Sequence, residues 1–253
     1  MTRMPRQLSS TGYYHIIFRG VNHCHLFEED EDYEKFLKLL ETAKTDLGFE
    51  VCAYCLMSNH GHLLVLEKQP GDIMTAMRKV LGPYANWFNR KYERSGSLIA
   101  NRYKSAPVET EAYLLALVRY IHQNPLVAGI SNHIDKYRYS SYRAYTKGGS
   151  SLVCTSTVFN LLSIDTSEAI EDFIEFHKTA EQEDFNLPDG VRKTEQQIRD
   201  AIVSALGEIT PTEVCSLPLR ERNAHLSFLR KKGFSIRQIE RATGVSRKII
   251  ERA

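Results

Sequence analysis

From Tyr13 to Arg19 the chain is a run of β-branched and aromatic residues that stops at Gly20, the pattern of a strand. Asp30 to Leu47 places Phe36, Leu37, Leu39, Leu40, Ala43 and Leu47 at helical spacing, and Gly48 stands where a helix would stop. Phe49 to Leu56 and His60 to Leu66 predict two strands joined by Met57-Ser58-Asn59, a hairpin. Gly71 to Tyr92 reads as a helix that Asp72 can cap, with Ile73, Met77, Leu81, Tyr84 and Phe88 following; Gly82-Pro83 is expected to kink or split it. Leu98 to Val108 predicts a strand, and Glu111 to Gln123 a helix that ends near Asn124-Pro125.

The order β, α, β, β, α, β, α predicts an α+β fold: a ferredoxin-like antiparallel sheet with helices packed on one face. This first domain is expected to span residues 1–146, because Lys147-Gly148-Gly149-Ser150-Ser151 breaks any pattern. Residues 147–194 form an acidic, partly helical connecting region, and residues 195–253 a C-terminal all-α domain. In that tail Asn223 to Lys232 is amphipathic, Ser235 can cap a helix through Ala242, Thr243-Gly244-Val245 is a tight turn, and Ser246 caps a last helix. Two helices around a Gly-containing turn make a helix-turn-helix, with Arg247, Lys248 and Arg252 on the helix that would enter a major groove.

Composition is that of a folded domain, 42% hydrophobic and 25% charged, and no apolar run reaches membrane-spanning length. The net charge of +2 hides an acidic middle and a basic end. Ile164 to Asp189 holds nine acidic residues against Lys178, whereas Leu219 to Ala253 holds ten Lys/Arg against three Glu, a net of +7. A basic tail of this density points to nucleic acid, although a solvated helical surface has the same charge. The five cysteines, Cys24, Cys52, Cys55, Cys154 and Cys215, are odd in number and scattered, which argues against a disulfide framework and for the cytoplasm. Cys52 and Cys55 form a CxxC, but inside a strand and with no second pair to complete a zinc site, so they are expected to be small core residues.

The candidate chemistry starts at His60-Gly61-His62. Strand alternation points both imidazoles to one face, where they can hold one metal ion. Alone the pattern is weak, and His23-Cys24-His25 repeats it in an apparent loop. On the predicted helix Tyr120 and Asn124 are four residues apart, hence on one face. Asn124 can offer a carbonyl oxygen as a third ligand. Two imidazoles and an oxygen with open positions suit Mg²⁺ or Mn²⁺ bridged to a phosphate. Tyr120 is then a candidate nucleophile, although most tyrosines in such a place are core-edge residues.

Four strings occur in order: Tyr14-His15-Ile16-Ile17-Phe18-Arg19-Gly20, Cys55-Leu56-Met57-Ser58-Asn59-His60-Gly61-His62-Leu63-Leu64, Asn101-Arg102-Tyr103-Lys104-Ser105, and Tyr120-Ile121-His122-Gln123-Asn124-Pro125-Leu126-Val127-Ala128-Gly129. Together they resemble the single-tyrosine transposases of the HUH superfamily, in particular the REP-associated tyrosine transposases, over about the first 145 residues. The resemblance implies His60 and His62 as metal ligands, Asn124 as the helix-borne third ligand and Tyr120 as nucleophile. The family usually has a bulky apolar residue between the histidines, and this chain has Gly61.

The activity implied is cleavage and rejoining of single-stranded, hairpin-flanked DNA by a metal-dependent transesterification, through a covalent 5′-phosphotyrosine and without ATP. Arg102 and Lys104 are candidates for backbone contacts, with solvent-facing charge an equal reading of each. Duplex DNA is the expected partner of the tail, and the protein is expected to act as a monomer or homodimer. Two other activities fit less well. One is a non-catalytic DNA-binding regulator, which intact His60, His62, Tyr120 and Asn124 argue against. The other is a metal-dependent phosphodiesterase that uses water and leaves no protein–DNA adduct.

Overall fold

The computed structural model describes residues 7–179, 185, 195–207, 209–232, 234 and 236–252. The chain divides into two compact units, with the boundary between Leu187 and Pro188. In the first, β1 (Tyr13–Arg19), β2 (Glu50–Met57), β3 (His60–Leu66) and β4 (Lys104–Pro107) form one sheet of order β2-β3-β1-β4 in which every neighbouring pair is antiparallel. With α1 (Asp30–Leu47), α2 (Asp72–Lys91) and α3 (Glu111–Val127) the element order is βαββαβα, the ferredoxin-like α+β arrangement.

Both faces of the sheet are covered, not one. β1 and β3 are buried at successive positions, so inward and outward residues alike are shielded. On one face Phe18 stacks on Phe36 of α1, which meets Tyr84 of α2 edge-on. On the other, His15 and His62 meet Tyr120 of α3. The helix that follows β4 closes the second face, which the alternation of helices and strands alone did not require.

Three element boundaries differ from expectation. The α2 helix runs unbroken through Gly82-Pro83; both residues are exposed, so the proline ring lies on the solvent side while Val80, Tyr84 and Phe88 stay packed. Gly71 is its N-cap, and Asp72 instead accepts from the backbone N–H of Gln69 at 2.9 Å. The α3 helix passes Asn124-Pro125 and ends at Val127. In that last turn Pro125 removes one backbone bond, while Ala128 N–H still donates to Asn124 O at 2.9 Å. The expected strand from Leu98 shortens to four residues, because Asn101 takes a left-handed conformation (φ 55°) and leaves Ile99 only an isolated bridge to Gly20.

Local signals account for the rest. Glu29 and Asp32 form a reciprocal capping box at the start of α1, and Gly48 (φ 73°) ends it in the left-handed region. The Thr110 hydroxyl caps α3 by accepting from Tyr113 N–H. Cys52 and Cys55 are buried free thiols, and burial pushes Cys52 up to about 12, so neither is a ready ligand or nucleophile. A register shift between Val51 and Ala53 interrupts the strand alternation at Cys52. Beyond the sheet, α4 (Tyr142–Lys147), α5 (Ser156–Leu162) and α6 (Thr166–Phe176) contribute Tyr145, Val158 and Phe173 to the same core. The acidic stretch thus includes a helix, α6, capped by Asp165. Among the described residues no helix is long and apolar enough to cross a membrane.

The second unit holds α7 (Glu195–Leu206), α8 (Leu219–Lys231), α9 (Ile236–Thr243) and α10 (Arg247–Arg252) around its own core of Ile202, Leu206, Val214, Leu226, Leu229, Ile239, Val245 and Ile250. Gly244 (φ 73°) makes the turn between α9 and α10.

Candidate active site

His60 opens β3 directly after the turn, and its Nδ1–H donates to Asn59 Oδ1 at 2.7 Å, which leaves Nε2 as the ring's lone pair. His62, two residues on, is buried, with Nδ1 3.0 Å from His15 Nε2 on β1. Its own Nε2 is buried without a hydrogen-bond partner among the described residues. The two rings of the His-x-His are 5.2 Å apart between centroids and nearly perpendicular.

The α3 helix brings the other expected residues to this face. The Tyr120 ring stands edge-on to His62 at 5.5 Å and to His15 at 6.3 Å. Asn124, one turn later, donates through Nδ2 to Tyr120 O at 2.9 Å, which fixes the amide and leaves Oδ1 as its acceptor. Asn124 also lies near enough to His60 to act on its protonation. The structure therefore brings His60, His62, Tyr120 and Asn124 together. Phe185 packs on Tyr113 and Tyr120, with centroids 5.0 and 5.2 Å away.

The electrostatics keep the imidazoles neutral. Burial lowers His60 to about 4, helped by the Arg19 charge and opposed by the Asn124 side chain. Burial, then His15, His60 and Arg19, hold His62 well below its ordinary value. His15 is lowered to about 3 by burial. A neutral imidazole is the metal-binding form. Among the described residues there is no group of three or more His, Cys, Asp or Glu placed to hold a metal ion. The candidate donor set is two ring nitrogens and an amide oxygen, and the orphaned, buried His62 Nε2 fits a bound cation.

The glycine between the histidines has a packing reason. Gly61 pairs with Phe18 across β1 and β3, and a Cβ on Gly61 would lie 2.3 Å from Phe18 Cζ. The Phe18 ring fills the volume that a bulky residue at 61 would need.

Arg102 is exposed in the loop before β4, and Lys104 opens β4 opposite Ile17, whose other partner is His62. Both thus lie toward the His62 end of the sheet. His23 and His25 are exposed in the loop after β1, His25 paired with Glu28 at 3.1 Å. In the second unit Arg247 is exposed and ion-paired with Glu240 at 2.9 Å, and Lys248 is exposed. Arg252 falls in the last turn of α10, and its side chain lies outside the described residues. Residue-by-residue expectation missed His15 and Phe185; the only signal was that His15 sits in the first of the four strings.

Residues 9–124 match the family described as IS200-like transposase. The chain is also similar to a solved structure described as the REP-associated tyrosine transposase bound to a REP hairpin, at 16% identity and a TM-score of 0.50, over 61% of this chain and 90% of that one. A second solved structure, of a candidate transposase from Deinococcus radiodurans R1, matches at 20% identity and a TM-score of 0.34, over 48% of this chain and 97% of that one. No curated protein matches. The first structural likeness is one of fold. That family match spans 116 of the 253 residues, a little under half of the chain.

Proposed function

We propose that this protein is a transposase that cleaves and rejoins single-stranded, hairpin-flanked DNA in the cytoplasm, with Tyr120 as the nucleophile. The observation that carries this reading is the convergence of Tyr120, His62, His60 and Asn124 on one face of the sheet, around a buried ring nitrogen with no partner. His60 and His62, through Nε2, and Asn124, through Oδ1, would hold Mg²⁺ or Mn²⁺. Bound there, such an ion supplies Lewis-acid polarisation of a phosphate and stabilisation of a leaving oxygen.

The protein's own residues carry the remaining steps. The Tyr120 hydroxyl attacks a backbone phosphorus. The P–O3′ bond breaks, a 3′-hydroxyl leaves, and the 5′-phosphate stays on the tyrosine. A 3′-hydroxyl attacking that phosphotyrosine reverses the step and joins new DNA, so the ester energy is conserved. A free tyrosine titrates near 10, so ionising it at pH 7 costs roughly 4 kcal/mol. Arg102 and Lys104 would contact the DNA backbone, and in the helix-turn-helix Arg247, Lys248 and Arg252 would contact duplex phosphates. The test is incubation with hairpin-flanked single-stranded DNA and Mg²⁺. Wild type should give a covalent adduct on a denaturing gel and Tyr120→Phe none; an undiminished adduct from that variant would rule Tyr120 out.

A further inference from the structure

We infer that His15 is a positioning residue that presets the tautomer of His62, so that the His62 Nε2 lone pair faces the metal position. The inference rests on the metal reading above and deepens it. β1 and β3 pair with Ile17 opposite His62 and His15 opposite Leu64. His15 and His62 are therefore diagonal neighbours on one face of the sheet. Their rings are nearly coplanar, 19° apart with centroids at 5.3 Å, and His15 Nε2 lies 3.0 Å from His62 Nδ1. That is an in-plane N–H···N bond, and it holds a single proton.

Which ring donates decides what His62 can do. If His15 donates, the His62 proton sits on Nε2 and blocks the ligand position. If His62 donates from Nδ1, its Nε2 is a bare lone pair. The surroundings leave His15 able to accept: among the described residues its other nitrogen, Nδ1, is buried with no hydrogen-bond partner. Among the described residues His62 Nε2 likewise has no hydrogen-bond partner. A buried ring nitrogen left open on His62, with the opposite nitrogen held by a neighbour, is the arrangement in which an outer residue orients a metal ligand. His60 is served the same way by Asn59 Oδ1, which can only accept from Nδ1–H. His15 does for the buried histidine what Asn59 does for the half-buried one.

Two measurements on the full chain test this. ¹⁵N NMR of histidine-labelled wild-type protein should show His62 protonated at Nδ1 and bare at Nε2; the opposite tautomer would overturn the inference. Mn²⁺ titration calorimetry then compares wild type, His15→Leu, His15→Gln and His62→Ala, with thermal melts as the folding control. Removing such an orienting partner should weaken binding about 10- to 100-fold in His15→Leu. His15→Gln, whose amide oxygen can accept from Nδ1–H, should recover much of that loss. Equal affinity of wild type and His15→Leu would dismiss the role of His15 and leave the metal site standing. Equal affinity of wild type and His62→Ala would dismiss the metal site, and this inference with it. Should His15→Leu not fold, the glutamine variant and the wild-type tautomer decide the question.

Discussion

Two histidine clusters flank α3, and they differ in one respect. His122 follows Tyr120 by two residues, about 200° around the helix, and so faces away from the candidate site. There His177 Nδ1–H donates to Phe173 O at 2.8 Å, His122 Nδ1–H donates to His177 Nε2 at 3.0 Å, and the Ser141 hydroxyl donates to His122 Nε2 at 2.7 Å while accepting from Tyr54 N–H. Every ring nitrogen is satisfied. In the His15–His60–His62 cluster two buried nitrogens are not. Burial drives the histidines of both clusters toward the neutral form, so charge state does not separate them. Unmet hydrogen-bonding capacity does. The closed cluster, with Gln123 Nε2 donating to His177 O and Thr179 O, ties α6 to the helix that carries Tyr120. The open one keeps unmet hydrogen-bonding capacity among the described residues.

The largest effect should come from breaking the open cluster. His62→Ala should lower cleavage on the order of 10³-fold, the several kcal/mol of a lost metal contribution. The variant should still fold, with the lower melting temperature expected of a truncated buried side chain. His23→Ala should leave cleavage near wild type. A His62→Ala protein that unfolds but, while folded, cleaves normally would reverse the assignment of the two clusters.

The closed cluster should show itself in stability against pH. His122 and His177 are depressed in the folded state, His177 to about 4, first by burial. A folded pKa below the unfolded value near 6.5 means that the unfolded chain takes up protons first. Stability should therefore be full above about pH 6.5 and fall as the pH drops toward 4. His177 alone would contribute on the order of 3 kcal/mol at the acid end, taking about 1.36 kcal/mol per unit. Chemical denaturation of the His177→Gln variant at pH 7 and pH 5 should show a smaller loss between the two than wild type does. An identical pH dependence would place the sensitivity elsewhere.

Much of this was legible in the sequence. Periodicity located β1, α1, the hairpin and α2, and the two-residue and four-residue spacings put His60 with His62 and Tyr120 with Asn124. The pairing of His15 with His62 was not legible, because it depends on the β1–β3 register, which strands 47 residues apart acquire only on folding. Nor was the burial of His122, since Tyr120-Ile121-His122 gives no sign of which residue faces the sheet. The helix end at Asn124-Pro125 was misplaced because a proline in a final turn loses a single bond, too little to stop a helix held by Gln123 and Asn124. Gly61 shows the limit from the other side: its reason, the Phe18 ring, lies on another strand.

That packing sharpens the comparison at smaller cost. Gly61→Leu should destabilise by about 1–3 kcal/mol through overpacking against Phe18, read as a lower denaturation midpoint. Phe18→Ala combined with Gly61→Leu should be less destabilised than the two single losses added together. Additive losses would mean that Phe18 is not what excludes a side chain at 61. The smallest effect on cleavage should come from the second unit. Deleting residues 188–253 should leave cleavage of a short single-stranded substrate nearly intact and weaken duplex binding. It should also flatten the salt dependence of that binding by about 0.9 in log–log slope for each phosphate the tail no longer neutralises. Equal duplex affinity at every salt concentration would make the tail a protein-docking or packing module.

The central claim is that one particular tyrosine bonds to DNA. Trypsin cuts after Arg119 and Lys136, so Tyr120 begins its own peptide, whereas Tyr113 lies in the preceding one. Wild-type protein trapped with hairpin-flanked single-stranded DNA and Mg²⁺, then digested with nuclease and trypsin, can be mapped by mass spectrometry. The account predicts a nucleotide phosphate on the peptide of residues 120–136, fragmenting to Tyr120. The same mass on any other peptide, or efficient strand cleavage with no modified peptide, would contradict it.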